Sequence, residues 1–283
     1  MKIRKLLLLL VMCGLVGTVG AKESTIVGNI KLTGSTSPEL KVEAGYTVTS
    51  PIWGSGPLFE GNNVKLKGVL GVSPVAATLS FDGILTPIAV AEIALGGSVG
   101  TGWNFFSTDM QGLRIGDGVA AAESHSMQGI YYEGRASATL QFDTAAIWPG
   151  EWNHVVLKTT HQLSYKGYTA APNSPDGWEY ETGGLHQNGL NYKGDYVIGY
   201  QMPLMLNMVA VLVETYLENI DNDFAVPSLT FDLGLVANLN IAKQLSLTLI
   251  PQFTTRYIDS DSRKISKGEL GFKRVAAMLN YTF

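Results

Sequence analysis

From about residue 25 to the C-terminus, apolar and polar side chains alternate one by one. Val275, Ala277, Leu279, Tyr281 and Phe283 share one parity, with Arg274, Asn280 and Thr282 on the other. Leu245, Leu247, Leu249 and Phe253 oppose Ser246, Thr248, Gln252 and Arg256, and Leu229 to Ile241 repeats the pattern against Thr230, Asp232, Asn238 and Asn240. At lower contrast the same period runs through 190–201, 155–165, 130–142 and 91–99, whereas 204–217 is apolar on both parities. A helix would space its apolar residues three and four apart, so these segments are strands. A strand in a lipid-facing barrel wall needs this arrangement, with one face in hydrocarbon and the other in the lumen.

Connections between these segments are of two kinds. Short ones fall near 84–87, 201–203 and 242–244, with a somewhat longer one at 143–151. Long polar ones span 50–61, 103–127, 167–189, 218–228 and 260–269. Such asymmetry suits an up-and-down barrel with tight turns on one side and long loops on the other. The expected fold is therefore all-β, a closed antiparallel up-and-down transmembrane β-barrel. Counting from Lys41 gives ten strands if 64–81 is one strand bent at Ser73-Pro74. Adding 25–34 and splitting at Pro74 gives twelve, and proline suits either a bulge or a boundary.

The polar parity predicts the lumen. It carries Glu133, Arg135, Lys158, Lys193, Asp195, Glu214, Asp232, Arg256 and Arg274, five positive and four negative groups. Charges persist at membrane depth only where they pair or meet water, so this face lines a wet or ion-paired interior. Mixed sign argues against a strong ion filter, which uses rings of one sign.

Composition narrows the picture. Hydrophobic residues make up 46% of the 283 and charged ones only 16%, with 32 glycines and one cysteine. Disorder needs the opposite balance. A lone thiol, Cys13, leaves neither a disulfide framework nor a cysteine-ligated metal, and no metal or cofactor is expected. Past residue 21 no uncharged apolar run is long enough for a membrane helix. Lys2, Arg4 and Lys5 precede an apolar stretch that ends in Val19-Gly20-Ala21, the pattern of a secretory signal peptide over 1–21, leaving 22–283 as one barrel domain. Its removal takes three basic residues, so 17 face 24 acidic ones and the net charge moves from −4 to −7. Nothing is basic enough to suggest nucleic acid.

The final segment, with Val275, Ala277, Leu279 and Tyr281 ending on Phe283, resembles the last strand of Gram-negative outer-membrane β-barrels. That resemblance implies recognition by the barrel assembly machinery, an even strand number, both termini in the periplasm, and a lipid-facing aromatic belt in the bacterial outer membrane. Trp53, Trp103, Trp148, Trp152 and Trp178 lie near strand ends or in loops, where such belts favour tryptophan.

Catalytic motifs are weak. His186-Gln187-Asn188-Gly189 superficially resembles the active-site stretch of outer-membrane phospholipases, but Asn188 stands where their serine follows the histidine by two. Ser164 lies three residues after His161 and so on the opposite strand face. His125 adjoins Ser124 and Ser126 in a loop. Asp221, Asp223, Asp259 and Asp261 could supply the carboxylates of an omptin-type protease, but no histidine lies near them in sequence. The glycine-rich 96–102 matches no phosphate loop. The expectation is a non-enzymatic, porin-like passive channel for small solutes, whose neighbours are outer-membrane lipid and the assembly machinery. The alternatives are a structural or surface-binding barrel with a plugged lumen, and an outer-membrane lipid hydrolase or protease.

Overall fold

A computed structural model describes residues 24–37, 39–52, 59, 61–105, 112–116, 123–124, 127–171, 177–181, 183–221 and 229–283. The proposed leader 1–21, Trp53, His125, Ser126 and Asp223 fall outside these. The strands are β1 (Thr25–Ser35), β2 (Glu39–Pro51), β3 (Asn63–Val72), β4 (Ala76–Ile88), β5 (Ala91–Gly102), β6 (Leu113–Ile115), β7 (Glu123–Ser124) and β8 (Tyr131–Asp143). They continue with β9 (His154–Tyr168), β10 (Trp178–Tyr180), β11 (Gly189–Gln201), β12 (Leu206–Leu217), β13 (Thr230–Ala242), β14 (Leu245–Ile258) and β15 (Ile265–Thr282).

Twelve of them close into a barrel in the order β1-β15-β14-β13-β12-β11-β9-β8-β5-β4-β3-β2, each antiparallel to its neighbours. Closure leaves no strand edge unpaired. β6, β7 and β10 form a separate three-stranded sheet. The two strand counts that the sequence allows are thus resolved in favour of twelve. Pro74 sits in a tight turn: Ser73 N–H donates to Ala76 O at 2.8 Å and Trp103 Nε1 donates to Pro74 O at 2.8 Å. Residues 25–35 then supply the strand that joins β2 to β15.

This count moves one connection. With β1 in place, residues 52–62 leave the barrel at the end that holds both termini, so strict alternation of short and long connections fails there. The long connections 103–130, 169–188 and 218–229 open at the opposite, far end, which also carries the short ones 36–38, 73–75 and 259–264.

Closure is made at the seam of β1 and β15, where Leu32 faces Leu279 and Lys31 faces Asn280. Phe283 extends it: Gly28 and Phe283 exchange two backbone hydrogen bonds of 2.9 Å. The Phe283 ring lies over Gly28, where an added Cβ would come within 2.5 Å of it, and meets Tyr46 edge-on at 6.0 Å. The terminal aromatic is therefore packed on the first two strands.

Gly96 shows how the sheet makes room for charge. In register it lies between Asp82 on β4 and Arg135 on β8. Arg135 donates through Nε and Nη2 to the two Asp82 oxygens, at 2.9 and 2.8 Å, straight across β5. A Cβ at Gly96 would stand 2.0 Å from Asp82 Oδ1 and 2.5 Å from Phe81 O. Gly96→Ala should therefore break the pair and lower barrel stability by about 2 kcal/mol, since each half-buried ion loses its counterpart. Gly134→Ala, where nothing lies within 4 Å, is the control. Urea unfolding of both variants in lipid vesicles checks this, and equal midpoints would contradict it.

Candidate functional site: the charged lumen and its cap

The polar parity lines the barrel interior as a lattice of ion pairs. Of the residues expected there, Arg135 pairs with Asp82 and approaches Glu133 at 3.7 Å. Lys193 reaches Glu214 at 2.7 Å and Asp195 at 2.9 Å, and Arg256 reaches Glu218 at 2.8 Å. Asp232, 1% exposed, pairs with Lys273 and accepts from Thr254. Arg274 bonds Gln252 at 2.7 Å and pairs with Glu39. Lys158 lies on the same parity of β9 as Thr160 and Ser164, with Glu92 among its electrostatic neighbours.

Several members of this lattice escaped the sequence reading. Lys31–Glu43 and Lys65–Glu92 complete it on β1–β5. These strands alternate too, with Leu40, Val42 and Ala44 opposite Lys41 and Glu43, and Leu66 opposite Lys65 and Lys67, so the signal for their faces lay in the sequence. Lys273 joins Arg274 inside because the β14–β15 register shifts between Gln252 and Phe253, which turns two successive residues inward. Lys67, Lys158 and Lys166 make no hydrogen bond or ion pair among the described residues. The side chains of Lys193 and Lys65 remain 33% and 29% exposed although both are paired, so this wall is wetted.

Over the far mouth sits the three-stranded sheet, a cap with its own core. Leu113, Tyr131, Tyr168, Ala171 and Trp178 are buried together, and Tyr131 stacks on Tyr180 at 4.4 Å. Trp178 is 1% exposed, so it belongs to this core and not to an interfacial belt; Trp148 and Trp152, in the turn after β8, are exposed as a belt requires. Asn188, at the position where the phospholipase-like stretch would need its serine, is structural: its Oδ1 accepts from Tyr168 N–H and Trp178 Nε1, each at 2.9 Å.

The cap is pinned by charge. Glu179, with 0% exposure, accepts from Arg114 Nε at 2.6 Å, Arg263 Nη2 at 2.7 Å and Gly184 N–H at 2.9 Å. Burial opposes its ionisation, but Arg263, Arg114 and the Gly184 N–H outweigh burial and hold the carboxyl below its usual range. Tyr180 OH lies 2.7 Å from Thr78 Oγ1 and donates to Ala77 O at 3.1 Å, which ties the cap into the β4 wall.

A second seam joins the cap to β12 and β14. His186 exchanges backbone hydrogen bonds with Trp178, while its Nδ1 stands 3.6 Å from Glu218. Arg256 bonds both Glu218 and Gly183 O. Among the described residues, neither His186 Nδ1 nor Glu218 Oε2 has a hydrogen-bond partner. Burial, with Lys166 and Arg256 nearby, pushes the His186 pKa down to about 4, although Glu218 and Glu179 pull it up. A histidine whose docked pKa is depressed stabilises the docked state fully above about pH 6.5, and that stability is lost as pH falls towards 4. Docking of this seam should be about 30-fold weaker at pH 5 than at pH 8. Protease protection of residues 177–189 across that range checks it. In His186→Gln the pH dependence between 6.5 and 4 should flatten; an unaltered profile would assign it elsewhere.

His161 points outward and Ser164 is buried inside, as their spacing predicts. His154 Nδ1 lies 2.8 Å from Asp143, but at the terminal end. Asp221 accepts from Leu190 N–H, and Asp259 accepts from the backbone of Asp261 and Ser262, so both organise loops. Among the described residues no group of His, Cys, Asp and Glu could hold a metal ion.

The outer surface of the barrel is an apolar band. Ile30, Leu79, Leu95, Leu140, Leu157, Ile198 and Leu235 are each 41–66% exposed and mark it around the wall. Among the described residues no helix is long and apolar enough to cross a membrane, but a closed barrel satisfies its wall hydrogen bonds between strands and needs none. The chain is a closed β-barrel whose apolar outer wall suits a lipid bilayer. No protein-family model and no curated protein matches this barrel's sequence. Among solved structures, the KdgM porin in complex with disordered oligogalacturonate is 9% identical with a TM-score of 0.42, covering 91% of this chain and 99% of that one. The NanC porin is 8% identical with a TM-score of 0.42, covering 92% and 99%. The translocator domain of autotransporter NalP from Neisseria meningitidis is 10% identical with a TM-score of 0.39, covering 100% and 95%. At such identities these are likenesses of strand arrangement only.

Proposed function

We propose that this barrel is a passive, porin-like channel for small solutes, with its far end outside the cell and its cap as the constriction. The wetted ion-pair lattice supports the reading most: a dry plug would bury Lys193 and Lys65, which instead keep about a third of their side-chain surface. No step in this reading is catalytic. Because the lattice neutralises most lumen charge, solutes would be sorted by size more than by sign, with Lys67, Lys158 and Lys166, which make no ion pair among the described residues, giving a mild anion preference.

Purified protein in a planar bilayer should give small, steady conductance steps. Lys158→Gln with Lys193→Gln should shift ion preference toward cations, the first by removing an uncompensated charge and the second by freeing Glu214 and Asp195. Shortening 103–127 should raise conductance with little change in selectivity. A second reading, a structural barrel with a closed mouth, draws on the buried Glu179 with its two arginines. Silence from both intact and shortened protein would favour it.

A further inference from the structure

The lipid-facing band holds one polar island. Away from the strand ends, outward positions of the barrel strands carry apolar residues, tyrosine, proline or glycine, with four exceptions: Thr159, His161, Thr215 and Thr255. Thr255 is buried with its hydroxyl on the Phe231 backbone, and the other three lie together. In register His161 faces Gly194, and Gly194 faces Thr215, so one row crosses β9, β11 and β12.

The row is built around that glycine. A Cβ at Gly194 would stand 2.6 Å from Thr215 Oγ1 and 2.9 Å from Tyr192 OH, so its absence lets the polar groups converge. His161 Nδ1 lies 2.7 Å from Tyr192 OH and Nε2 lies 3.2 Å from Thr159 Oγ1. Tyr196 meets the imidazole edge-on at 5.6 Å. Both ring nitrogens are thus engaged within one barrel. Thr215 Oγ1 donates to Gly194 O at 3.2 Å, while Thr159 Oγ1, bonded to His161, keeps capacity for a further partner, since a hydroxyl both donates and accepts.

The depth of this island is what makes it informative. His161 is seven residues from either end of β9, in the middle of the membrane-spanning wall. There, lipid offers only hydrocarbon, and polar side chains normally turn to the protein interior. On the terminal side of the island the outer wall is grooved over about 570 Å³, lined by Leu140, Phe142, Leu157, Tyr196, Ile198 and Val211. An acyl chain could fill the groove, but it has nothing to offer the hydroxyls above it.

We infer that the β8–β12 wall is the contact face of a dimer of this barrel within the membrane, with the Thr159–His161–Tyr192–Thr215 island at its centre. A partner must present hydrogen-bonding groups at the same depth. A second copy inserted in the same orientation does so automatically, because its island sits at the same height, and a two-fold axis along the membrane normal sets island against island. Small residues allowing close approach and polar side chains bridging chains are what membrane-embedded interfaces use.

The chain has one cysteine, Cys13 in the proposed leader, so a single added thiol reports cleanly. In isolated outer membranes, a short bis-maleimide should link the full protein carrying Thr159→Cys into a species of twice the monomer mass. Leu79→Cys, on the lipid face of β4 three strands round the barrel from β9, should stay monomeric. Light scattering in mild detergent should give a dimer mass for the unaltered protein. His161→Leu with Thr159→Val should cut the dimer fraction at least tenfold while the barrel stays folded. A monomer mass with no linking above the Leu79→Cys control, a linked species of another mass, or a dimer indifferent to the double variant would each overturn the inference.

Discussion

Glu179→Gln should free the cap and leave the barrel standing. Glutamine keeps the shape and one acceptor for Arg263 and Gly184, but removes the charge shared by two guanidiniums. Arg114 is 7% exposed, so it cannot turn to water without leaving its place. Breaking a buried pair by removing one partner costs about 3–5 kcal/mol; because Arg263 is partly exposed, about 3 kcal/mol is expected, roughly a hundredfold in the docking equilibrium. The twelve-strand ladder shares no hydrogen bond with Glu179. Larger, noisier conductance steps and new protease cleavage within 112–116 or 177–189 should therefore appear without change in the heat-modified mobility of the barrel. Lys41→Gln is the contrast. Its pair with Glu181 is long, at 3.8 Å, and both side chains are about a quarter exposed, so losing it should cost about 1 kcal/mol or less. Unchanged conductance and protection in Glu179→Gln would mean that the aromatic core alone holds the cap.

The barrel was legible because its signal is repeated. Apart from β12, which is apolar on both parities, every barrel strand from β8 onward writes the same period of two, and the chain end adds its own alternating segment. The cap was not legible for the converse reason. β6, β7 and β10 are two or three residues long, too short to show any period, and their partners come from loops distant in sequence. Trp178 shows the cost of that blindness: near a strand end it reads as an interfacial tryptophan, whereas tertiary packing buries it against Tyr131 and Tyr168. Lys273 was hidden by a register shift, which no pattern of strict alternation can report. Gly96 was visible as part of a glycine-rich run explained by close packing. The carboxylate that needs its missing side chain lies 14 residues upstream, on a neighbouring strand.

The strongest test of the face assignment lies in β15. Leu279 faces outward, 36% exposed, between Leu32 on β1 and Leu247 on β14. It stands four residues before Phe283, roughly 10 Å up the barrel axis from the terminal aromatics at the strand rise and tilt of such walls, and so near mid-depth. Leu279→Asp places a carboxylate where no water or counter-charge can reach it. A charge on the lipid face near the midplane costs roughly 2–4 kcal/mol for Arg or Lys and less for Asp, and the lost leucine contact adds to this, so about 2 kcal/mol is expected. The loss falls on the seam that closes the barrel, where β15 meets β1, and on the segment we propose the assembly machinery reads. Export should proceed while insertion fails, leaving periplasmic degradation products. Asn280→Asp, one residue on, should be nearly silent. Asn280 faces the lumen, accepts from Asn29 at 3.2 Å and lies opposite Lys31, so a carboxylate there finds a donor, a cation and water. Deleting Phe283 should resemble Leu279→Asp, because it strips the ring from Gly28 and Tyr46 together with the two backbone hydrogen bonds that extend the seam. The readout is the fraction of each variant that is folded in outer membranes, against total exported chain. Equal damage from Leu279→Asp and Asn280→Asp would mean that the two faces of β15 do not see different media.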